Sequence, residues 1–312
     1  MLSDFVPRCV LMQSTAALAA LCMLPHSAKA DPTGGTVTSG AANITSSGTT
    51  TTINQSSNRA IIRWDTFDLN TSDVVQFQQP SASSITVNRI RDTKPSAIDG
   101  KISANGNIVL INPNGMVFGS SAVVDVGGLV ATSSDLKDDN AFMNGGPVEF
   151  TKPGNTDARI VNNGSITAKQ AGLIGLVAPH VENNGVIQAT LGKVQLASGD
   201  IHTIDFAGDG LIKLEVSDDV LSQSVTNTGT IEANGGQILL TTSQARHVID
   251  TLITNTGTLR ADTITLPDHS IQTGAIVVSA QGLPTITQVP VQTGTSQGFD
   301  VSIKIEQNAE PF

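Results

Sequence analysis

The sequence has no tyrosine, a single tryptophan and only 3% aromatic residues. Any core must therefore be aliphatic, and 312 residues, 39% of them hydrophobic, suffice for one domain or two. Cysteine is nearly missing as well: Cys9 and Cys22 both lie in residues 1–30, so the remainder forms no disulfide. Charge is sparse and mostly of one sign. A formal net charge of −10, with no run of Lys or Arg, excludes nucleic acid as a partner, because phosphates require clustered cations. Beyond residues 1–30 no stretch is apolar and long enough to span a bilayer as a helix. What is abundant is Gly, Thr, Ser, Asn, Val and Ile, a composition of strands and turns rather than helices.

Residues 1–30 read as an address. Arg8 gives a positive start, Cys9–Leu24 an apolar stretch, and Ala28-Lys29-Ala30 a small-x-small cleavage site, which places the mature start at Asp31. The general secretory translocon and signal peptidase are the partners implied. Without Arg8, Lys29 and Asp4, 15 basic and 26 acidic residues remain, a net charge of −11. Two physical reasons fit an exported chain without cysteines: an unfolded chain threading a narrow pore cannot carry cross-links, and a long solenoid core needs none.

The stretch Gly100–Ser133 organises the rest. Ile108–Ile111 and Met116–Phe118 are short apolar runs bounded by glycine, too short for helices and typical of buried strands. Between them Asn112-Pro113-Asn114-Gly115 forces a turn: Pro113 fixes φ, and Asn114 and Gly115 tolerate positive φ. Upstream, residues 31–52 are polar and suit either a linker or the first turns of a β structure. Trp64, Phe67 and Phe77 suggest a cap in which larger side chains close the core, with ligand stacking on Trp64 as the alternative.

The pattern N-x-G-x-(I/L)-x-A recurs at Asn162–Ala168, Asn183–Ala189, Asn227–Ala233 and Asn255–Ala261, with an earlier relative at Gly100–Ala104. Ile166 to Ile187 is 21 residues, Ile187 to Ile231 is 44, or twice 22, and Ile102 to Ile166 is 64, close to three times 21. That spacing predicts an all-β parallel β-helix of about ten coils, roughly 50 Å long, with glycine and asparagine corners and a ladder of the repeated asparagines. Ser134–Met143 has acidic residues before apolar ones at helical spacing and predicts one or two helical turns outside the coil. Beyond Thr265 the repeat fades, and residues 266–312 read as a C-terminal cap or a partly disordered tail.

An ordered series of motifs resembles the N-terminal secretion domain of two-partner secretion exoproteins of the filamentous-haemagglutinin type. It runs through Ile53–Ser56, Arg59–Trp64, Val75–Ser81, Asn88–Ile90, Ile102–Gly106, Ile111–Gly119, Gly128–Ser133 and Asp139–Phe142. The resemblance implies a right-handed parallel β-helix over 31–265 with an N-terminal cap and small extra-helical elements. It also implies recognition by an outer-membrane β-barrel transporter with periplasmic domains, and a secreted or surface location. Asn112, Pro113, Asn114 and Gly115 match the family's NPNG motif; Gln79, Pro80, Asn88 and Arg89 fall in supporting motifs. A second motif of some members, NPNL, is missing, and the long effector region usual in such exoproteins does not follow.

Chemistry is not called for. Asn155-Thr156-Asp157 and Asp138-Asp139 echo pectin-cleaving β-helix enzymes, but in the wrong order and without the accompanying His-Gly and Arg-Ile-Lys. His180, His202, His247 and His269 lack zinc-site spacing; Asp200, His202 and Asp205 can share a coil, and a solvated corner explains them too. No cofactor or metal is implied. The second reading is a surface adhesin whose polar coils bind host or cell-surface glycans.

Overall fold

The computed structural model describes residues 32–146, 148–204, 212–215, 222–243, 250–280, 285–287 and 303–306. Residues 1–30, read above as a leader, and Asp205 and His247 lie outside the described residues. The chain winds into a parallel β-helix with three faces, of ten, nine and seven strands among the described residues. Each coil visits the nine-, ten- and seven-strand faces in turn, as in Lys101–Ala104, Asn107–Ile111 and Gly115–Phe118. The core follows from the register. On the nine-strand face Val75, Ile102, Val124, Ile166, Ile187, Ile231 and Leu259 stand directly over one another, all buried in one aliphatic cluster. Fully burying such a side chain is worth about 1.5–3 kcal/mol.

That column corrects the coil count. Ile187 pairs directly with Ile231, so the 44 residues between them make one coil, and only Val124 stands between Ile102 and Ile166. Compact coils take 21 or 22 residues. The rest of the spacing goes into excursions that happen to be about one coil long. With nine parallel strands on its longest face, after the antiparallel Thr36–Ser39 is set aside, the rod is about 40 Å long rather than 50.

Both described excursions leave between the ten- and seven-strand faces. The first carries Asp135–Leu136, the helix Asp139–Met143 and Val148–Lys152; the second carries His202–Ile204 and Ile212–Leu214. Together they form a four-stranded antiparallel sheet that covers the outer side of the ten-strand face. Phe142, Phe150 and Ile212 pack there with Ile61, Val87, Val109 and Val130, which makes the strand Asn107–Ile111 apolar on both sides. Gly175 leaves room for Ile212, and Gln195 holds the Ile212 backbone by two hydrogen bonds of 2.9 and 3.0 Å. The helix is capped by the Asp138 side chain, which accepts from the N–H groups of Asn140 and Ala141.

At the amino end Thr36–Ser39 and Ala42–Ser47 pair antiparallel with the first strands of two faces, so residues 31–52 include a β cap rather than a linker. Trp64 is 1% exposed, edge-on to Phe67, and its Nε1 donates to Asn88 Oδ1 at 3.0 Å. It closes the core and is not a ligand platform. Past Thr265, Ala275–Ala280, Thr285–Thr287 and Ile303–Glu306 extend the faces in parallel.

His202 is not at a solvated corner. It is fully buried and stacked on Phe150 at 4.4 Å, and neither ring nitrogen has a hydrogen-bond partner among the described residues. Burial pushes its pKa down to about 3. An unfolded histidine binds its proton near pH 6.5, so as pH falls from there towards 3 the unfolded state gains protons that the native state refuses. Stability is expected to fall by about 1.4 kcal/mol per pH unit in that window. His202→Phe should flatten the profile between pH 6.5 and 4 in denaturant titrations; identical slopes for the two proteins would refute this origin.

Candidate functional site

The corner Asn112–Gly115 turns the chain from the ten-strand to the seven-strand face, the same corner that opens into excursions in other coils. The turn closes through Gly115 N–H to Asn112 carbonyl at 2.9 Å, and Asn112 Oδ1 also accepts from Asn114 N–H at 2.9 Å. Of the two residues expected to tolerate positive φ, only Gly115 adopts it, at +91°. A Cβ there would lie 2.2 Å from the Arg159 carbonyl oxygen, so no other residue fits.

The corner is hydrogen-bonded to the chain on both sides. Asn112 is fully buried; its Nδ2 donates to the Lys94 carbonyl at 3.1 Å and to Ser96 Oγ at 2.9 Å, one coil below. Asn114 Nδ2 donates to the Asp92 carbonyl at 2.8 Å. From above, Asn155 N–H donates to the Pro113 carbonyl at 2.8 Å, and Asn155 Nδ2 donates to Asn114 Oδ1. The corner is thus a shelf on which the returning limb of the first excursion lands. Only Pro113 and Asn114 are partly exposed.

The four supporting residues separate by role. Gln79 is buried and spans two coils: its Nε2 donates to Thr86 Oγ1 at 3.0 Å and the Asn107 carbonyl at 3.1 Å, and its Oε1 accepts from Gly106 N–H at 2.8 Å. Asn88 is buried beneath Trp64, and Pro80 is exposed. Arg89 holds the excursion helix, gripping both carboxylate oxygens of Asp139 at 2.8 and 3.1 Å and Asp135 at 2.8 Å. Burial works against its charge, but the bonds to Asp139 and the proximity of Asp135 outweigh it and raise its pKa. In return the Arg89 hydrogen bond holds the Asp139 carboxyl below its usual range. Arg59 adds a second clamp, donating to the Phe142 and Gly146 carbonyls with its guanidinium 4.9 Å from the Phe142 ring centre.

Asn155 and Arg59 were not readable as partners of these motifs. Asn155 lies 41 residues from Asn114, across an excursion whose path no periodicity marks.

A family model described as the TPS secretion domain matches residues 28–285. The chain belongs to that family. Its TPS domain is 36% identical over 213 residues to a heme/hemopexin-binding protein of Haemophilus influenzae strain Rd, a match covering 66% of this chain and 23% of that protein. A second H. influenzae heme/hemopexin-binding protein is 32% identical over 253 residues, covering 74% and 26%. This chain therefore spans about a quarter of the length of these curated relatives. Among solved structures, the HMW1 secretion domain of H. influenzae superposes with a TM-score of 0.68 at 30% identity, over 82% of this chain and 66% of that one. The parallel β-helix and the two-partner secretion family read from the sequence both hold. The chain carries the TPS secretion domain of a two-partner exoprotein, a family of secretion domains rather than of enzymes. Of the carboxylates weighed as catalytic, Asp138 caps the helix and Asp139 binds Arg89.

Proposed function

We propose that the leader, residues 1–30, directs this chain to the periplasm, and that a partner outer-membrane β-barrel transporter with periplasmic domains then moves it across largely unfolded. Its role is to be exported and to fold outside, without catalysis. The observation that carries the reading is the Asn112–Gly115 corner, whose bonds join the coil below to the limb above. Once it closes, later coils have a surface to stack on, and each buries several aliphatic side chains. Stacking outside the cell then opposes backsliding through the pore. A mature region without cysteine suits passage as an extended chain.

The test compares the mature chain in periplasm and medium, with and without the candidate transporter, for Asn112→Ala and Asn114→Ala. Asn112→Ala removes three hydrogen bonds from a buried position, at a cost of about 2–4 kcal/mol. It is expected to leave most of the protein in the periplasm and to lower the stability of the refolded domain in proportion. Wild-type amounts of both variants in the medium would sink the proposal. If Asn114→Ala alone blocked release with stability intact, the corner would act by contact with the transporter.

A further inference from the structure

We infer that the cleft between the solenoid and its first excursion is a docking site, in the folded chain, for a carboxylate-rich segment of a partner protein. The inference goes beyond the export reading and does not depend on it.

The cleft, about 730 Å³, is lined by Arg63, Arg89, Arg91, Lys137 and Lys152. Five cations in one concavity stand out on a chain of net charge −10. Three carboxylates share the wall, but each is engaged: Asp135 and Asp139 by Arg89, Asp138 as the helix cap. Lys137 is paired with Glu149 at 2.7 Å. Five cations against three carboxylates leave the lining with a net charge of +2, and among the described residues Arg63, Arg91 and Lys152 form no direct ion pair, although Lys152 lies near enough to Asp139 to lower its pKa. Their main chain is set by strand pairing and backbone hydrogen bonds. Arg63 is the register partner of Arg89 on the neighbouring coil, Arg91 N–H bonds to the Trp64 carbonyl at 3.0 Å, and Lys152 pairs with Asp135 in the excursion sheet.

The chemistry favours separated carboxylates over a dense polyanion. Arginine forks bind carboxylates well, whereas Asp135, Asp138 and Asp139 in the wall and the acidic remainder of the chain repel a continuous run of phosphate or sulfate. The site also needs residues 63–91 and 135–152 brought together, so it exists only after the excursion has docked. A partner that reads it reads the folded protein.

The experiment uses the whole mature chain and a fluorescein-labelled peptide of alternating Glu and Gly, followed by anisotropy from about 20 to 300 mM salt. Saturable binding that weakens with salt is expected. Arg63→Gln, Arg91→Gln and Lys152→Gln together should weaken it about tenfold or more, and exposed Lys152→Gln alone about threefold. Lys193→Gln, on a coil beyond the excursion, should leave it unchanged. The inference is overturned if the peptide does not bind, if the cleft variants bind like wild type, or if heparin oligosaccharide binds at this cleft and the peptide does not.

Discussion

Gly185→Ala is expected to destabilise the solenoid strongly. The added Cβ would lie 2.1 Å from the Gly164 carbonyl oxygen, inside any tolerable contact. The neighbour is main chain and cannot swing aside. Gly164, Gly185, Gly229 and Gly257 stack in a column, each over the carbonyl of the one before, and the flanking strands are locked in parallel register. Relief requires prying two coils apart, which forfeits hydrogen bonds and packing on both sides, a loss of about 3 kcal/mol or more. Gly48→Ala is the control. Nothing lies within 4 Å of its Cβ position, and it bears only the left-handed backbone penalty, about 1 kcal/mol. Equal shifts of the two denaturant midpoints would show that the column is not close-packed.

The second large effect belongs to the asparagine ladder. Asn162 Nδ2 donates to Asn183 Oδ1 at 2.8 Å, Asn183 to Asn227 at 2.7 Å, and Asn227 to Asn255 at 2.6 Å, with all four side chains fully buried. Asn183→Ala removes the acceptor of Asn162 and the donor of Asn227 together. Two interior polar groups then lose their ladder partners, Asn162 Nδ2 keeping only its longer bond to the Gly164 carbonyl, at about 1–3 kcal/mol each, so a total loss of about 3–5 kcal/mol is expected. At the far end Asn255→Ala removes only the ladder acceptor of Asn227 Nδ2, which keeps its longer bond to the Gly229 carbonyl, and should cost about half as much. Denaturant titration of the two variants checks the ratio. A loss no greater at the middle than at the end would mean that the amides do not act as a chain.

These features differ in how far the sequence disclosed them. The ladder and the strands around Asn112 were readable because each rests on local chemistry: a repeated Asn before Gly, and short aliphatic runs closed by turn residues. The helix at Asp139–Met143 was readable for the same reason, through acidic residues ahead of Phe142. The coil count was not. An excursion about one coil long preserves the period, so Ile187 and Ile231 look two coils apart while they touch. The second apolar layer was hidden too, because a strand buried on both faces, such as Asn107–Ile111, does not say what covers its outer side. At the corner itself, Asn112–Gly115 announced a turn, but its partners Asp92, Lys94 and Asn155 became visible only with the coils in place.

The buried amide chain also works as a check on alignment. Side chains alternate across a strand, so a coil laid down one residue out of step would turn its asparagine outward and take its amide away from the preceding Nδ2. Such a slip is penalised at the coil where it occurs, before the next is added. A fibre-like fold built from near-identical turns would otherwise have many nearly equivalent ways to stack; a buried amide repeated at the same place in four turns favours one.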